Sequence, residues 1–248
     1  MKLKTQISAL VLGLALIAAL NPNTVEAQRL YSVEIFKGTE GDSLQNPIER
    51  YLSHLPDGCL VEGTFFDPDE FFPAKIVMKG NGVSVEEYVR FNWLRDQLEV
   101  LKGIDTVVYR NPGVINHVES KGRVFVYLPY VSQKSERLFG WFEMIADGSY
   151  SLLLKRKVKL QRMDYLSPVI ASLTDHDKID IITIWYLREG DLDAVPFRLN
   201  KRNLAALWPD SRDLLLNYIS ENNVKGSDHQ SLKRYFGYLN SITPWEKE

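Results

Sequence analysis

Residues 140–160 read GWFEMIADGSYSLLLKRKVKL, in which an Asp-Gly pair separates two strand-like runs. A strand-like run of aromatic and aliphatic residues extends from Phe139 to Ile145. The pair Asp147-Gly148 follows it, and a second strand-like run extends from Tyr150 to Leu160. An Asp-Gly pair between two such runs is a strong signal for a tight hairpin turn. The stretch therefore predicts two long antiparallel strands joined by a short turn.

The return strand of this hairpin carries the most basic cluster of the chain. Successive side chains of a strand point to opposite faces, so Lys155, Lys157 and Lys159 share one face. We expect Trp141, on the first strand, to lie on an exposed face. These four residues are the candidate binding residues, for a phosphate group or a polysaccharide. The simpler interpretation of the lysines is a solvated sheet face, because charged strands also discourage strand-to-strand aggregation.

Outside the hairpin the dominant period of the apolar residues is two, and Gly, Pro and Asn turns separate the runs. The additional predicted strands cover residues 31–35, 59–66, 88–93, 97–101, 104–109, 114–118, 123–128, 178–187 and 194–199. Their short spacing leaves no room for crossover helices, which disfavours a parallel α/β fold. We expect an antiparallel meander that forms a sheet, a sandwich or an open barrel. We predict that residues 161–177 form a long connection between two strands.

After Asn200 the period of the apolar residues changes to that of a helix. The pattern predicts three short amphipathic helices, with Asn200 as the first N-cap and a capping box from Ser227 to Gln230 before the last helix. Helices this short are not stable alone in water, so we expect them to pack on one another or on the sheet. The predicted fold class is therefore α+β, with a β-rich domain over residues 28–199 and a helical segment over residues 200–248.

The first 27 residues have the composition of a secretory signal peptide. Lys2 and Lys4 precede an apolar run over residues 7–20, which is shorter than the ~20 residues of a membrane-spanning helix. The small residues Val25 and Ala27 follow it. We predict cleavage between Ala27 and Gln28, no transmembrane segment after signal removal, and a periplasmic or secreted protein.

The composition and the remaining motifs restrict the function further. A formal net charge of −2 argues against a nucleic-acid partner, which needs a basic surface. The single cysteine, Cys59, excludes an internal disulfide, and we expect it to be buried. No Gly-rich phosphate loop and no zinc-type Cys/His spacing occurs, so the sequence predicts no cofactor and no metal site. The four histidines form no close-spaced pair, and the spacing identifies no catalytic residue; they are His54, His117, His176 and His229.

Three segments carry a resemblance to a known group of proteins. They are VEGTFF (residues 61–66), the hairpin at residues 140–160 and KRNLAALWPDSRDLLLNYISENN (residues 201–223). Together with the signal peptide, they resemble exported proteins of Bacteroidota bacteria that have no assigned function. In that group a β-rich region precedes C-terminal helices. The resemblance implies a cell-envelope location and carries over no catalytic residue.

The first functional hypothesis is a non-enzymatic envelope protein that binds a protein or glycan partner. The alternatives are an envelope hydrolase with a site assembled from dispersed Asp and His residues, and a small-ligand carrier. The hydrolase would be favoured if His117 or His176 lay in a concave pocket within hydrogen-bond reach of a carboxylate. The carrier would need a roomy apolar cavity inside the β region.

Overall fold

The computed structural model describes residues 30–32, 47–55, 60–66, 69–80, 82–109, 111–162 and 177–243. The predicted signal peptide, Cys59, His176 and most of the predicted connection lie outside the described residues. Within them the chain forms a single mixed sheet of 12 strands, with helices toward the C-terminus. This confirms the predicted α+β class, a mainly antiparallel sheet followed by three short helices.

The strands are β1 (Leu30–Ser32), β2 (Leu60–Gly63), β3 (Phe72–Met78), β4 (Ser84–Asn92), β5 (Gln97–Lys102), β6 (Asp105–Val108), β7 (Ile115–Ser120), β8 (Arg123–Val131), β9 (Arg137–Ala146), β10 (Tyr150–Gln161), β11 (Asp177–Glu189) and β12 (Val195–Pro196). The helices are α1 (Pro47–Ser53), α2 (Lys201–Ala205), α3 (Arg212–Glu221) and α4 (His229–Ile242). Short 3₁₀ turns lie at Pro112–Val114 and Pro209–Ser211. None of the described helices has the length and apolarity needed to cross a membrane.

The strand order is β1-β2-β11-β10-β9-β8-β7-β3-β4-β5-β6, with β12 paired to β11. All neighbours are antiparallel except β2 and β11, which run parallel with Val61 opposite Asp177. This parallel pair was not expected from the meander pattern. The last strand is also shorter than the predicted 194–199, and it ends at Pro196. One further hydrogen bond continues the contact with β11, because the Phe197 N–H donates to the Trp185 carbonyl at 2.8 Å.

The main core forms because β3, β4 and β5 pack against β7, β8 and β9. Phe91 lies near its centre, with ring centroids 4.4 Å from Phe125, 4.9 Å from Trp93 and 5.4 Å from Trp141. An isolated bridge between Phe66 and Asn92 ties the segment after β2 to the end of β4. The sheet therefore curls until residues from distant strands share one apolar interior.

The three C-terminal helices pack on the sheet through a second apolar cluster. It includes Tyr150 and Leu152 from β10 and Leu215, Phe236 and Leu239 from α3 and α4. The hydroxyl of Tyr235 in α4 donates a 2.7 Å hydrogen bond to the carbonyl of Leu204 in α2. This buried bond fixes the first of the three helices against the last.

One of the two predicted helix caps is formed by the predicted residue, and the other is formed by the residue that follows it. Asn200 caps α2 as expected, because its side chain accepts a 2.9 Å hydrogen bond from the Asn203 N–H. The predicted Ser227 cap of α4 is wrong, since Asp228 accepts from the Gln230 N–H at 2.9 Å instead. Aspartate is an equally good N-cap, and its charge also favours the positive end of the helix.

The turn of the β9–β10 hairpin is held by a side chain of α4. Asn240 Oδ1 accepts from the Tyr150 N–H at 2.8 Å, and Asn240 Nδ2 donates to the carbonyls of Asp147 and Tyr150 at 3.1 Å. Gly148, with φ +146°, leaves room for this amide, because a Cβ there would collide with the Asn240 side chain. The hairpin that the sequence predicted is thus also the docking point of α4.

The sheet divides between β9 and β10. The two strands pair only from Leu152 to Leu154, opposite Ala146 to Glu143, with a register shift after Leu152. Beyond this point β9 stays paired with β8 as far as Arg137, and β10 stays paired with β11 as far as Gln161. The two strands therefore diverge and leave a gap in the middle of the sheet.

Candidate functional site

The tip of the β4–β5 hairpin borders the gap between β9 and β10. A cavity of about 210 Å³ lies there, open to solvent, which we call the split cleft. The residues that line it are Trp93, Leu94, Asp96, Tyr130, Lys155, Arg156, Lys157 and Val158. The hairpin tip, β8 and β10 each supply part of its wall.

An ion pair takes the place of strand pairing at the edge of the cleft. Lys155 Nζ donates to Asp96 Oδ2 at 2.5 Å and to the Trp141 carbonyl at 3.1 Å. Asp96 Oδ1 in turn accepts from the Trp141 N–H at 3.2 Å. Buried backbone groups need hydrogen-bond partners, and here two side chains supply those that a neighbouring strand would otherwise give.

Gly140 makes this close approach possible. A Cβ at this position would collide with the Asp96 carboxylate and the Lys155 ammonium group. Asp96 itself has φ +53°, the left-handed conformation that aspartate tolerates better than most residues. The ion pair is therefore seated directly against the backbone of β9, where only glycine fits.

Burial sets the protonation behaviour around the cleft. It lowers the pKa of Lys155 below its ordinary value of 10.5, and the charge and hydrogen bond of Asp96 only partly oppose this effect. Burial and the charge of Asp96 raise the pKa of Tyr130 to about 12. At neutral pH the Tyr130 hydroxyl keeps its proton and can donate a hydrogen bond.

The guanidinium of Arg156 is neutralised by a buried acid. Glu143 accepts from Arg156 Nη2 at 2.7 Å and from Arg123 Nε and Nη2 at 3.0 and 2.9 Å. Burial would raise the pKa of Glu143, but the two arginines outweigh burial and lower it. Lys157 is different, because it is half-buried and has no acidic partner among the described residues.

A buried donor without an acceptor among the described residues lies at the cleft wall. Trp93 is buried, and its indole N–H has no hydrogen-bond acceptor within the described part of the chain. A buried donor without a partner costs about 1–3 kcal/mol relative to one that is paired. The Trp93 side chain stacks on Phe91 and borders the split cleft.

The structure places the four predicted binding residues differently from the strand pattern. The prediction that Trp141 lies on an exposed face is wrong, because its side chain is 1% exposed and packs in the main core. A solvated Lys155 is also wrong, since it is 2% exposed and bonded to Asp96. Lys157 lines the cleft, whereas Lys159 is exposed and is not among the lining residues.

The residues that approach the cleft from other strands were not predicted from the sequence. Asp96 and Trp93 belong to a hairpin predicted correctly, yet nothing local indicates that its tip reaches β9 and β10. The available signal was Gly140, an isolated glycine inside a strand pattern. Such a glycine often marks a close approach of another group to the backbone.

His117 lines a larger, open concavity of about 390 Å³ between the sheet and α4. Its Nε2 lies 2.9 Å from Glu119 Oε1, and its Nδ1 lies 3.1 Å from Asn116 Nδ2. One condition for the hydrolase hypothesis is thus met. The described residues that line it include no Ser, Thr, Tyr or Cys that could act as a nucleophile; they are Asn116, His117, Val124, Val126, Met144, Ile145, Ala146, Asp147 and Lys233.

The other described histidines do not join this site. His54 is exposed and contacts the Arg50 carbonyl, and His229 packs its ring edge against Trp185. Among the described residues, no group of three or more His, Cys, Asp and Glu side chains is arranged to hold a metal ion. No family model, curated protein or solved structure matches this chain.

Proposed function

We propose that this protein is an exported, non-enzymatic binding protein of the cell envelope, and that it holds a glycan or protein partner at the split cleft. The observation that carries the proposal is a pair of donors at the cleft wall. The Lys157 ammonium group has no acidic partner among the described residues, and the buried Trp93 N–H has no acceptor among them. The acids near the cleft, Asp96 and Glu143, are already engaged by basic side chains. The cleft can therefore bind a polar group, and no carboxylate among its described lining residues lacks a basic partner.

The size of the cleft favours a larger partner over a small molecule. Pockets that enclose a drug-sized ligand have volumes of about 300–1,000 Å³, and the split cleft is smaller. It accommodates one side group of a ligand whose remainder lies on the surrounding surface. Next to Gly140, β9 exposes Leu138 and Phe139, and exposed aromatic residues are typical anchors of binding surfaces.

A photo-cross-linking residue at position 139 tests this proposal in the envelope fraction of the source organism. Position 88 is a matched control, because Tyr88 is 57% exposed and Phe139 is 55% exposed. We expect a defined adduct from position 139, none of that mass from position 88, and loss of the adduct when Lys157→Glu is added. Equal labelling from both positions, or no effect of Lys157→Glu, would contradict binding at the cleft.

The export part of the proposal has its own measurement. Cleavage after Ala27 gives a mature chain that begins at Gln28. Intact mass and N-terminal sequencing of protein recovered from the periplasm or medium test this directly. A chain recovered only from the cytoplasm, still beginning at Met1, would refute export.

A second candidate function is hydrolysis at the His117 concavity. The supporting observation is the hydrogen bond between His117 and Glu119, since a carboxylate orients a histidine for general acid–base catalysis. Turnover of chromogenic ester or glycoside substrates that is lost in His117→Gln and kept in His54→Gln would favour this function. Equal turnover in both variants would exclude His117 from the chemistry.

A further inference from the structure

Three consecutive cations of β10 border the split cleft, and their counter-charges are unequally distributed. Asp96 pairs with Lys155, and Glu143 pairs with Arg156. Lys157 has no acidic partner in the described part of the chain. Its charge also adds to the lowering of the Lys155 pKa, because like charges disfavour each other. A negative group in the cleft would relieve both effects.

The neutral groups at the cleft wall are donors. The Trp93 indole can only donate, and its N–H has no acceptor among the described residues. The Tyr130 hydroxyl is protonated at neutral pH, because burial and Asp96 raise its pKa to about 12. Asp96 is the one acid among the described residues of the cleft wall, and it already accepts from Lys155 and from the Trp141 N–H. The polar atoms left for a ligand therefore favour an acceptor.

We infer that the split cleft is an oxyanion site, which takes a carboxylate or sulfate group of a larger acidic ligand between Lys157, Trp93 and Tyr130. This inference rests on the proposed function and names the chemistry of its ligand. A carboxylate or sulfate oxygen accepts hydrogen bonds from all three groups and supplies the charge that Lys157 lacks. The Trp93 N–H is covered in the present structure, so binding requires a small shift at the tip of the β4–β5 hairpin.

The experiment titrates the full exported chain with sodium sulfate and, separately, with sodium acetate, at constant ionic strength maintained with chloride. The readout is the ¹H–¹⁵N resonance of the Trp93 indole, assigned by its loss in Trp93→Phe. We expect a saturable shift of this resonance with at least one of the two ions. The ion that saturates at lower concentration distinguishes a sulfate from a carboxylate ligand. Linear, non-saturating shifts with both ions would overturn the inference.

Two lysine variants separate a built site from general surface charge. Lys157→Met removes the unpaired ammonium group, and we expect it to weaken binding at least tenfold. Lys159→Met is the matched control, because Lys159 lies on the same strand and the same face but outside the cleft lining. We expect it to leave the titration unchanged. Equal weakening by both variants would contradict the inference, since each lysine would then act only through net charge.

The outcome is distinguishable from a failure of the proposed function. A cross-link from position 139 that depends on Lys157, without a saturable ion effect, would leave partner binding supported and overturn the oxyanion chemistry. Saturable ion binding without any cross-linked partner would support the oxyanion site and contradict partner binding.

Trp93→Phe keeps an aromatic ring and removes the indole N–H. The thermal unfolding midpoint of this variant is measured first, to check that it folds.

Discussion

Lys155 lies where β10 would otherwise pair with β9, and its side chain provides a hydrogen bond that strand pairing would give. Its ammonium group and the Asp96 carboxylate satisfy both backbone groups of Trp141 on the side facing the gap. A lysine this deeply buried is rare in proteins unless it is paired. Its role at this point is structural, because it holds the β4–β5 hairpin tip against β9.

Lys155→Met should lower the free energy of unfolding by about 2 kcal/mol, which is typical for the loss of a hydrogen bond to a charged group. The Asp96 carboxylate and the Trp141 carbonyl both lose a partner, and the partial exposure of Asp96 limits the loss. Urea denaturation at neutral pH measures the change. Lys157→Met is the control and should change stability by less than about 0.5 kcal/mol. Similar losses in the two variants would show that the ion pair does not hold the hairpin tip.

We expect Glu143 to make the stability of the folded protein fall at acidic pH. Its pKa in the folded protein is lowered from 4.5, because the two arginines outweigh the opposing effect of burial. The unfolded chain therefore binds more protons in the interval just below pH 4.5, and stability falls there as the pH falls. The contribution is complete above the unfolded value and is lost as the pH drops through the folded value.

Glu143→Gln should remove this component. At about pH 7 the variant should be less stable than the parent chain by several kcal/mol, since two arginines lose a charged partner. The difference should narrow as the pH falls below about 4.5, because the unfolded parent chain takes up a proton at Glu143 before the folded chain does. Urea midpoints across that interval measure it. A difference that stays constant with pH would contradict the assignment.

For individual residues, the sequence predicted which side chains share a strand face better than it predicted which faces are buried. The alternation of the lysines along β10 is correct, because the side-chain period of a strand is local. Whether a face is buried depends on what packs on it, and for Lys155 that is a hairpin tip from another part of the chain. Trp141 was placed outside for the same reason, since Phe91 and Tyr127 cover it from other strands.

The β9–β10 hairpin shows how an element predicted locally acquires a tertiary role. Its Asp147-Gly148 turn was evident in the sequence, whereas the clamp by Asn240 was not, because Asn240 lies in a helix far along the chain. The strand β3 was missed altogether. Phe72, Ala74 and Ile76 do alternate inward, but Pro73 and the small Ala74 weaken the strand signal.

Asn240→Ala should loosen the contact between α4 and this hairpin. The variant removes three hydrogen bonds, and each contributes about 1 kcal/mol. The specific readout is amide hydrogen exchange of Tyr150, whose N–H loses its acceptor. Asn217→Ala, on the exposed side of α3, is the control and should leave this amide protected. Unchanged protection in Asn240→Ala would mean that the clamp is not formed in solution.

The sheet and the helices behave as one body because they share an apolar cluster. Residues 28–199 and 200–248 were predicted as a β-rich domain and a helical segment packed on it. Leu152 and Tyr150 from the sheet share one buried apolar cluster with side chains of all three C-terminal helices. Neither the sheet nor the helical segment can bury these apolar surfaces alone. Separating them would expose the apolar surfaces to water, which is unfavourable.

We therefore expect a single cooperative unfolding transition for the described part of the chain. Loss of near-ultraviolet circular dichroism, which reports aromatic packing in both clusters, should coincide with the loss of helical signal in the far ultraviolet. Coincident transitions by independent probes are the standard test of two-state behaviour. A helical transition that precedes the aromatic one would show that the helical segment unfolds separately.

The overall strand order could not be derived from local patterns. Hairpins follow from turns, and most neighbours in the sheet are hairpin partners. The placement of β2 beside β11 is different, because no turn connects them and the pair is parallel. The divergence of β9 and β10 is equally non-local, since it depends on the curling of the whole sheet around the main core.

The parallel pairing of β2 and β11 has a consequence for the rate of folding. Hairpins such as β4–β5 and β8–β9 join neighbours in the sequence and close with little loss of chain entropy. The β2–β11 pair joins the first part of the sheet to the last, so forming it before the intervening strands have paired costs more chain entropy. Folding slows as such long-range contacts increase. We expect β2 to add to the sheet late, as the step that completes it.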